Sequence, residues 1–331
     1  NITCDETNLM AGATITKNTL TVNDIGLLNY IQVQDMIDDA RTGATIKIDG
    51  PVFRGASEDN IVINKSGITL DFNGNTLKAK SGRVFNIDNV QNVKIQNAVI
   101  TNVGNKQAYN DNVEGRIAFI NNSYVEISNV NFTDSIAPSN GYAASGSFIL
   151  AFSEEADSVL KMDNCNIENC SGTFINSIKN NVYLDNVNFE NNNLYLGYSS
   201  SWNSLIADGG YLEVRNSKFI NNTPNFAAID GQSQSLPTGV YGMTFLTNND
   251  ELIIDNCTFI NNSKGSKGAV HTNNNTKVTN SIFIGNSANS YSGYGGAIRS
   301  DNGYLDIEKC IFVNNSAYYS VSSWSGSVSG N

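Results

Sequence analysis

Few side chains in this sequence are equipped for chemistry, and their spacing limits what they can do. There is one histidine, His271, and five cysteines. His271 sits in the phrase GAVHTN, which matches FAAIDG and GGAIRS elsewhere in the chain. If Val270 points inward, the two-residue period of a strand sends His271 outward. Its equivalents are then Asp230 and Arg299, and a column that accepts His, Arg and Asp reads as a solvated face. A catalytic histidine would need a nucleophile or an orienting carboxylate, and the pattern places none beside it. Cys165, Cys257 and Cys310 share another repeated position, filled elsewhere by Val130, Val187, Ser217 and Ser281. That is a small inward site, where a free cysteine behaves as a small hydrophobe. These three fall two or more repeats apart, roughly 9–10 Å at the closest, whereas a disulfide needs Cα atoms within about 7 Å. They read as reduced core thiols. Cys4 and Cys170 are unassigned, and a Cys4 disulfide stays open. No CxxC or Cys/His spacing points to a metal.

The carboxylates offer more. Asp163, Asp185 and Arg215 fall in one column of outward positions: Gln96, Ser128, Asp163, Asp185, Arg215, Asp255, Thr279, Glu308. Stacked, Asp163 and Asp185 would lie about 5 Å apart, with Arg215 next. Such a pair could take Ca²⁺, the one cofactor the sequence suggests, or serve as the two carboxyls of a glycosidase. The plainer reading is a solvated ladder. The neighbouring column, Lys94, Glu126, Lys161, Tyr183, Glu213, Ile253, Lys277, Asp306, mostly alternates in sign, and each cross-strand pair contributes roughly 0.2–1 kcal/mol. Aromatic residues gather in the variable segments LYLGYSSSW, SYSGYG and AYYSVSSW. Tyr195, Tyr198, Trp202, Tyr291 and Tyr294 are the candidate binding residues, because exposed Tyr and Trp make contact surfaces for sugars and proteins. Equally, they could close over the faces of the fold.

The elements that must position these residues form a repeat. NAVITN (97–102), NVNFTD, NCNIEN, NVNFEN, NSKFIN, NCTFIN, NSIFIG and KCIFVN (309–314) recur at intervals of 22 to 40 residues. Before each anchor lies an alternating segment such as YVEIS or YLEVR, the mark of a strand with one buried face. A third short segment follows most anchors. Three short strands per repeat cannot bury their apolar positions alone, but stacked copies can. The expected fold is all-β, a right-handed parallel β-helix of about ten coils, a rod on the order of 45–50 Å long. The leading Asn of each anchor takes the left-handed turn, and stacked amides can bond from coil to coil. Sugar binding is the alternative use of that column. The Phe or Ile three residues on forms an inward column. Residues 60–316 make the β-helix. Residues 1–59 make an N-terminal cap, a strand plus an amphipathic helix with Leu28, Ile31, Val33, Met36 and Ile37 apolar, which shields an open edge. The Ser/Gly-rich segment 317–331 reads as a cut end.

Composition narrows the function. Of 331 residues 53 are asparagine and 28 glycine, so the chain turns very often. The net charge of −11 argues against nucleic-acid and anionic-lipid partners. No apolar run approaches the roughly 18 residues of a membrane span.

GGAI (295–298), GAV (268–270) and the F-x-x-N phrase from Phe312 to Asn315 resemble the repeats of chlamydial polymorphic outer-membrane proteins. With the lead-in IQVQDMIDDARTGATIKIDG, residues 27–316 are more similar to adhesin-like surface proteins of methanogenic archaea. The resemblance implies a secreted, cell-surface protein that adheres to other cells or glycans, here a monomeric piece of a larger surface protein without membrane insertion of its own. A non-enzymatic binding module is the leading expectation. The competing expectation is a carbohydrate-active enzyme centred on Asp163, Asp185 and Arg215. Its familiar relatives of this fold carry paired Asp with a G-H-G phrase, which is absent here.

Overall fold

The computed structural model describes residues 13–16, 19–22, 28–54, 60–79, 82–104, 115–137, 147–153, 158–193, 205–223, 229–231, 251–262, 268–272, 275–288, 295–301 and 303–317. The alternation read from the sequence becomes three parallel sheets that wind round one core. The first sheet stacks Thr19–Val22, Thr45–Ile48, Thr69–Asp71 and then residues 93–96, 125–128, 160–163, 182–185 and 212–215, ending with Glu251–Asp255, Asn275–Thr279 and Leu305–Glu308. The second sheet runs from Leu28–Asn29 through Val52–Phe53 to Ile311–Val313. The third runs from Ile61–Ile63 to Ile298–Ser300. This is a parallel β-helix. Its first sheet reaches back to Thr19–Val22, inside the segment that the sequence assigns to the cap.

The corners explain the asparagine content. Between the first and second sheets Asn97, Asn129, Asn164, Asn186, Asn216, Asn256 and Asn280 all take φ of 51–56°, and Lys309 takes 55° in the same place. Between the second and third sheets Asn102, Asn169, Asn191, Asn221, Asn261 and Asn314 do the same at 53–55°. An ordinary residue loses roughly 1–2 kcal/mol in this region, and Asn is among the few that visit it readily.

The inward column of aromatics forms as expected. Phe189, Phe219, Phe259, Phe283 and Phe312 stack with centroids 4.7–4.9 Å apart and rings within 8° of parallel. A ladder that the sequence reading missed runs beside it. Asn192, Asn222, Asn262 and Asn286 each follow a corner residue of positive φ, and their side chains are buried. Asn222 shows the pattern. Its Nδ2 donates to the Phe189 carbonyl at 2.9 Å and to Asn262 Oδ1 at 3.0 Å. Its Oδ1 accepts from the Asn192 backbone N–H at 3.1 Å and from Asn192 Nδ2 at 3.0 Å. All four hydrogen-bonding positions of the amide are filled. Asn262 and Asn286 donate in the same way, and Asn315 closes the ladder.

One helix, α1 (Tyr30–Asp39), is held by a capping box between Asn29 and Gln32. It buries Tyr30, Val33, Met36 and Ile37 and leaves Ile31 exposed, so Tyr30 takes the place that the sequence assigned to Ile31. Gln34 explains how the helix shields an edge. Its Nε2 donates to the Val62 carbonyl and its Oε1 accepts from the Val62 N–H, at 3.1 and 2.7 Å. One side chain thus stands in for the missing strand next to Ile61–Ile63. Lys65 ties the other end of the helix by donating to the carbonyls of Ile37, Asp38 and Ala40.

Removing the Asn222 amide takes a partner from two groups of Asn192, from the Phe189 carbonyl and from Asn262 Oδ1. Asn222→Ala should lower unfolding free energy by about 3 kcal/mol or more. Asn256→Ala, at an exposed corner, should cost about 1–2 kcal/mol. Urea denaturation reads both, and equal losses would refute a special weight for the ladder.

Candidate functional site

The outward face of the first sheet is positioned by the core beneath it. Val125 and Ile127, Leu160 and Met162, Val182 and Leu184, Leu212 and Val214 are all buried. The residues between them must therefore face out. Glu126, Lys161, Tyr183, Glu213 and Ile253 lie in one register column, and Ser128, Asp163, Asp185, Arg215 and Asp255 in the next, as the alignment of repeats expects. Two of the expected charge pairs form, Lys94 with Glu126 at 3.6 Å and Lys277 with Asp306 at 3.9 Å.

Asp163 and Asp185 are register neighbours and both are exposed. Asp185 Oδ1 accepts from Asn216 Nδ2 at 2.6 Å. Arg215 is next in register to Asp185, but its guanidinium turns to other partners. Its Nε bonds Glu213, and its Nη1 lies 3.1 Å from Asp255 Oδ2. Asp255 Oδ1 also accepts from Thr279 Oγ1 at 2.6 Å and Asn280 Nδ2 at 2.8 Å. Those bonds, together with Arg215, hold the Asp255 carboxyl below the usual range. Burial raises Glu213, but hydrogen bonds from Arg215 and Tyr211 outweigh it and the net shift is downward. Both carboxylates around Arg215 are thus kept ionised. Among the described residues no group of three or more His, Cys, Asp or Glu side chains is arranged to hold a metal ion.

The sequence reading missed an aromatic platform on the same face. The Tyr183 and Tyr211 rings lie 5.5 Å apart, inclined at 46°. The Tyr211 hydroxyl donates to Glu213 Oε2 at 2.7 Å, and burial followed by this bond pushes its pKa up. Lys161 Nζ lies 5.1 Å from the Tyr124 ring centre and 5.7 Å from that of Tyr183. The signal was present in NVYLD and GYLEVR, where alternation turns each Tyr outward. Tyr195, Tyr198, Trp202, Tyr291 and Tyr294 lie outside the described residues.

His271 requires a correction. It is the register partner of Arg299, as the repeats suggest, but it is fully buried rather than solvated. Val270, His271 and Thr272 are all buried, so both faces of this strand are covered. Asp301, on the turn after Ile298–Ser300, lies 3.0 Å from His271 Nε2 and accepts from Arg299 Nε. The orienting carboxylate thus comes from the next coil. No pattern of strand repeats predicts a turn residue reaching back. The described cysteines, Cys165, Cys170, Cys257 and Cys310, are free thiols, as read for three of them. Burial pushes Cys165, Cys170 and Cys257 up to about 12, so they are inert as nucleophiles.

No protein-family model matches the chain, and no curated protein matches it in sequence. Solved structures do resemble it. Pectate lyase Bsp165PelA from Bacillus sp. N165, in complex with trigalacturonate, is 15% identical with a TM-score of 0.38, over 93% of this chain and 89% of that one. PfbA, a surface adhesin of Streptococcus pneumoniae, is 11% identical with a TM-score of 0.41, over 91% and 83%. The catalytic domain of a GH87 α-1,3-glucanase with nigerose is 14% identical with a TM-score of 0.27, over 91% and 60%. The set mixes enzymes with an adhesin and decides neither ligand nor activity.

The Asp301 carboxyl carries a pH signature. Burial raises it, but the bonds and charges of His271 and Arg299 outweigh burial and hold it well below its ordinary value. A depressed carboxylate stabilises the fold above the unfolded value of about 3.9, and that contribution fades as pH falls through the folded value. The stability gap between wild type and Asp301→Asn should narrow as pH falls from about 5 to below about 4. A gap that does not change across this range would show that the charge of Asp301 contributes nothing.

Proposed function

We propose that the chain is a non-enzymatic, adhesin-like binding module of the cell surface that holds a glycan against the outward face of its first sheet. The Tyr183–Tyr211 platform carries this reading. Aromatic rings offer an apolar face to sugar C–H groups while hydroxyls and charges at their edges take hydrogen bonds. Here those edges are Lys161, Glu213 and Arg215, each held in place by a neighbour. The surrounding charge sets the class of glycan. Glu126, Asp163, Asp185, Glu213, Glu251 and Asp255 lie on or beside the platform against Lys161 and Arg215. A polyanionic glycan would be repelled, so the ligand is a neutral or amino sugar. An extracellular setting, and a protein or glycan of another cell as partner, follow from this reading.

The competing reading, a glycan-cleaving enzyme at Asp163, Asp185 and Arg215, asks for one carboxyl raised to act as an acid. Asp163 and Asp185 are both exposed, and the Arg215 guanidinium bonds Glu213 and Asp255 instead of them. Ca²⁺ on Asp163 and Asp185 would strengthen that reading, and calcium belongs in its test.

A glycan array with the whole chain should find neutral or amino-sugar ligands. Tyr183→Ala and Tyr211→Ala should each weaken binding tenfold or more, about 1.4 kcal/mol. Release of reducing or unsaturated ends from a polysaccharide panel, with or without Ca²⁺, would overturn the proposal. So would an array on which every ligand binds both variants as it binds wild type.

A further inference from the structure

A second surface lies round the corner from the tyrosine face. An open groove of about 430 Å³ runs past Asn97, Asn129 and Asn131, with Ala98 and Val99 as its floor and Asn73–Gly74 at one end. Its polar rim continues as two exposed amide ladders. At the corner, Asn129 donates to Asn97 Oδ1, Asn164 to Asn129 Oδ1 and Asn186 to Asn164 Oδ1, at 3.2, 2.5 and 3.0 Å. On the second sheet, Asn166 donates to Asn131 Oδ1 and Asn188 to Asn166 Oδ1, both at 2.9 Å.

The two ladders differ in what the fold asks of them. The corner residues need positive φ, and Asn serves that need in coil after coil. The second-sheet column needs no such thing. In other coils the same position holds Val99, Lys218, Thr258, Ile282 and Ile311. Asn is a poor strand former, yet it fills three successive coils beginning at the groove. Nothing lining the groove titrates, so it offers no charge to an ion. Asn166 and Asn188 each use one N–H along the ladder and keep another; the Asn131 and Asn166 carbonyls each keep a lone pair beyond the ladder bond, while the Asn188 carbonyl is buried. Donors and acceptors at Asn131 and Asn166, one coil or about 4.8 Å apart, suit successive hydroxyl groups.

We infer that this groove is a separate binding site for a neutral, linear glycan lying along the helix axis. Val99 gives the sugar ring an apolar contact, and the Asn131–Asn166–Asn188 ladder reads its hydroxyls. The inference rests on the groove itself and stands or falls apart from the tyrosine face.

The test uses the ¹⁵N-labelled whole chain titrated with cellohexaose, laminarihexaose and maltohexaose. Side-chain NH₂ signals of Asn97, Asn129, Asn131 and Asn166 should shift with at least one of them. Asn131→Val and Asn166→Ile, which copy residues of the same column in other coils, should weaken that binding tenfold or more while leaving the melting temperature within a few degrees. Tyr211→Ala should leave it unchanged, and so should raising salt from about 0.05 to about 0.5 M. The inference is overturned if none of the three sugars moves these signals, or if both column variants bind as wild type. Loss of the shifts in Tyr211→Ala would also overturn it, by assigning the sugar to the tyrosine face. Groove shifts in a wild-type chain that binds no sugar at the tyrosine face would sink the proposed function and leave the groove standing.

Discussion

A buried amide is costly unless its hydrogen-bonding positions are filled, and from Asn192 onward one column of this β-helix core is organised round that demand. Asn192, Asn222, Asn262, Asn286 and Asn315 satisfy one another only if successive coils repeat with the same rise and the same register. A slip of one residue would bury several unpaired amides at once. The ladder therefore acts as a register lock. The parallel Phe stack beside it follows, since rings stack within 8° only on coils that repeat so closely. Apolar burial gives the coils a reason to stack, and the amides specify how.

In-register stacking also decides where function can sit. Once inward positions are committed to core, each outward position becomes one rung of a straight column. A binding face is then built by choosing rungs. Tyr183 and Tyr211 meet diagonally across neighbouring coils, and Arg215 reaches one coil up to Asp255 and back along its own strand to Glu213. Long side chains on such a face find partners on their own strand and on the coil above.

The fold was legible because its signals are local and repeated. Alternation marked the strands, Asn marked the corners, and Phe three residues on marked the core. Where the reading stopped, the deciding contact was not local. Asn262 follows a true corner residue, Asn261, and nothing in one repeat says that the second Asn turns inward. The clue lay in comparison, the doublet after Phe189, Phe219 and Phe259. His271 was read from its own strand, but its partner Asp301 lies on a turn of the next coil. Arg215 was assigned to Asp185 by register, while side-chain reach took it to Asp255 and Glu213. Periodicity gives the column of a residue; it does not choose among the three or four partners within reach of a long side chain.

The cysteines show the same corner logic in another atom. Cys170 had no assignment from sequence, yet it belongs to the ladder column, one coil before Asn192. Its Sγ donates to the Phe132 carbonyl at 3.7 Å, the role that Asn222 Nδ2 plays toward Phe189. Its backbone N–H donates to Asn192 Oδ1 at 2.9 Å, so the thiol hands over directly to the amides. At the other inward corner Cys165, Cys257 and Cys310 donate to the carbonyls of Ile127, Val214 and Val278, while Ser217 and Ser281 fill the same column with hydroxyls. Ser, Cys and Asn look interchangeable at these corners because each is small and brings a donor to a buried carbonyl. Val130 and Val187 fill the same column in other coils. A buried donor explains the described cysteines without redox chemistry.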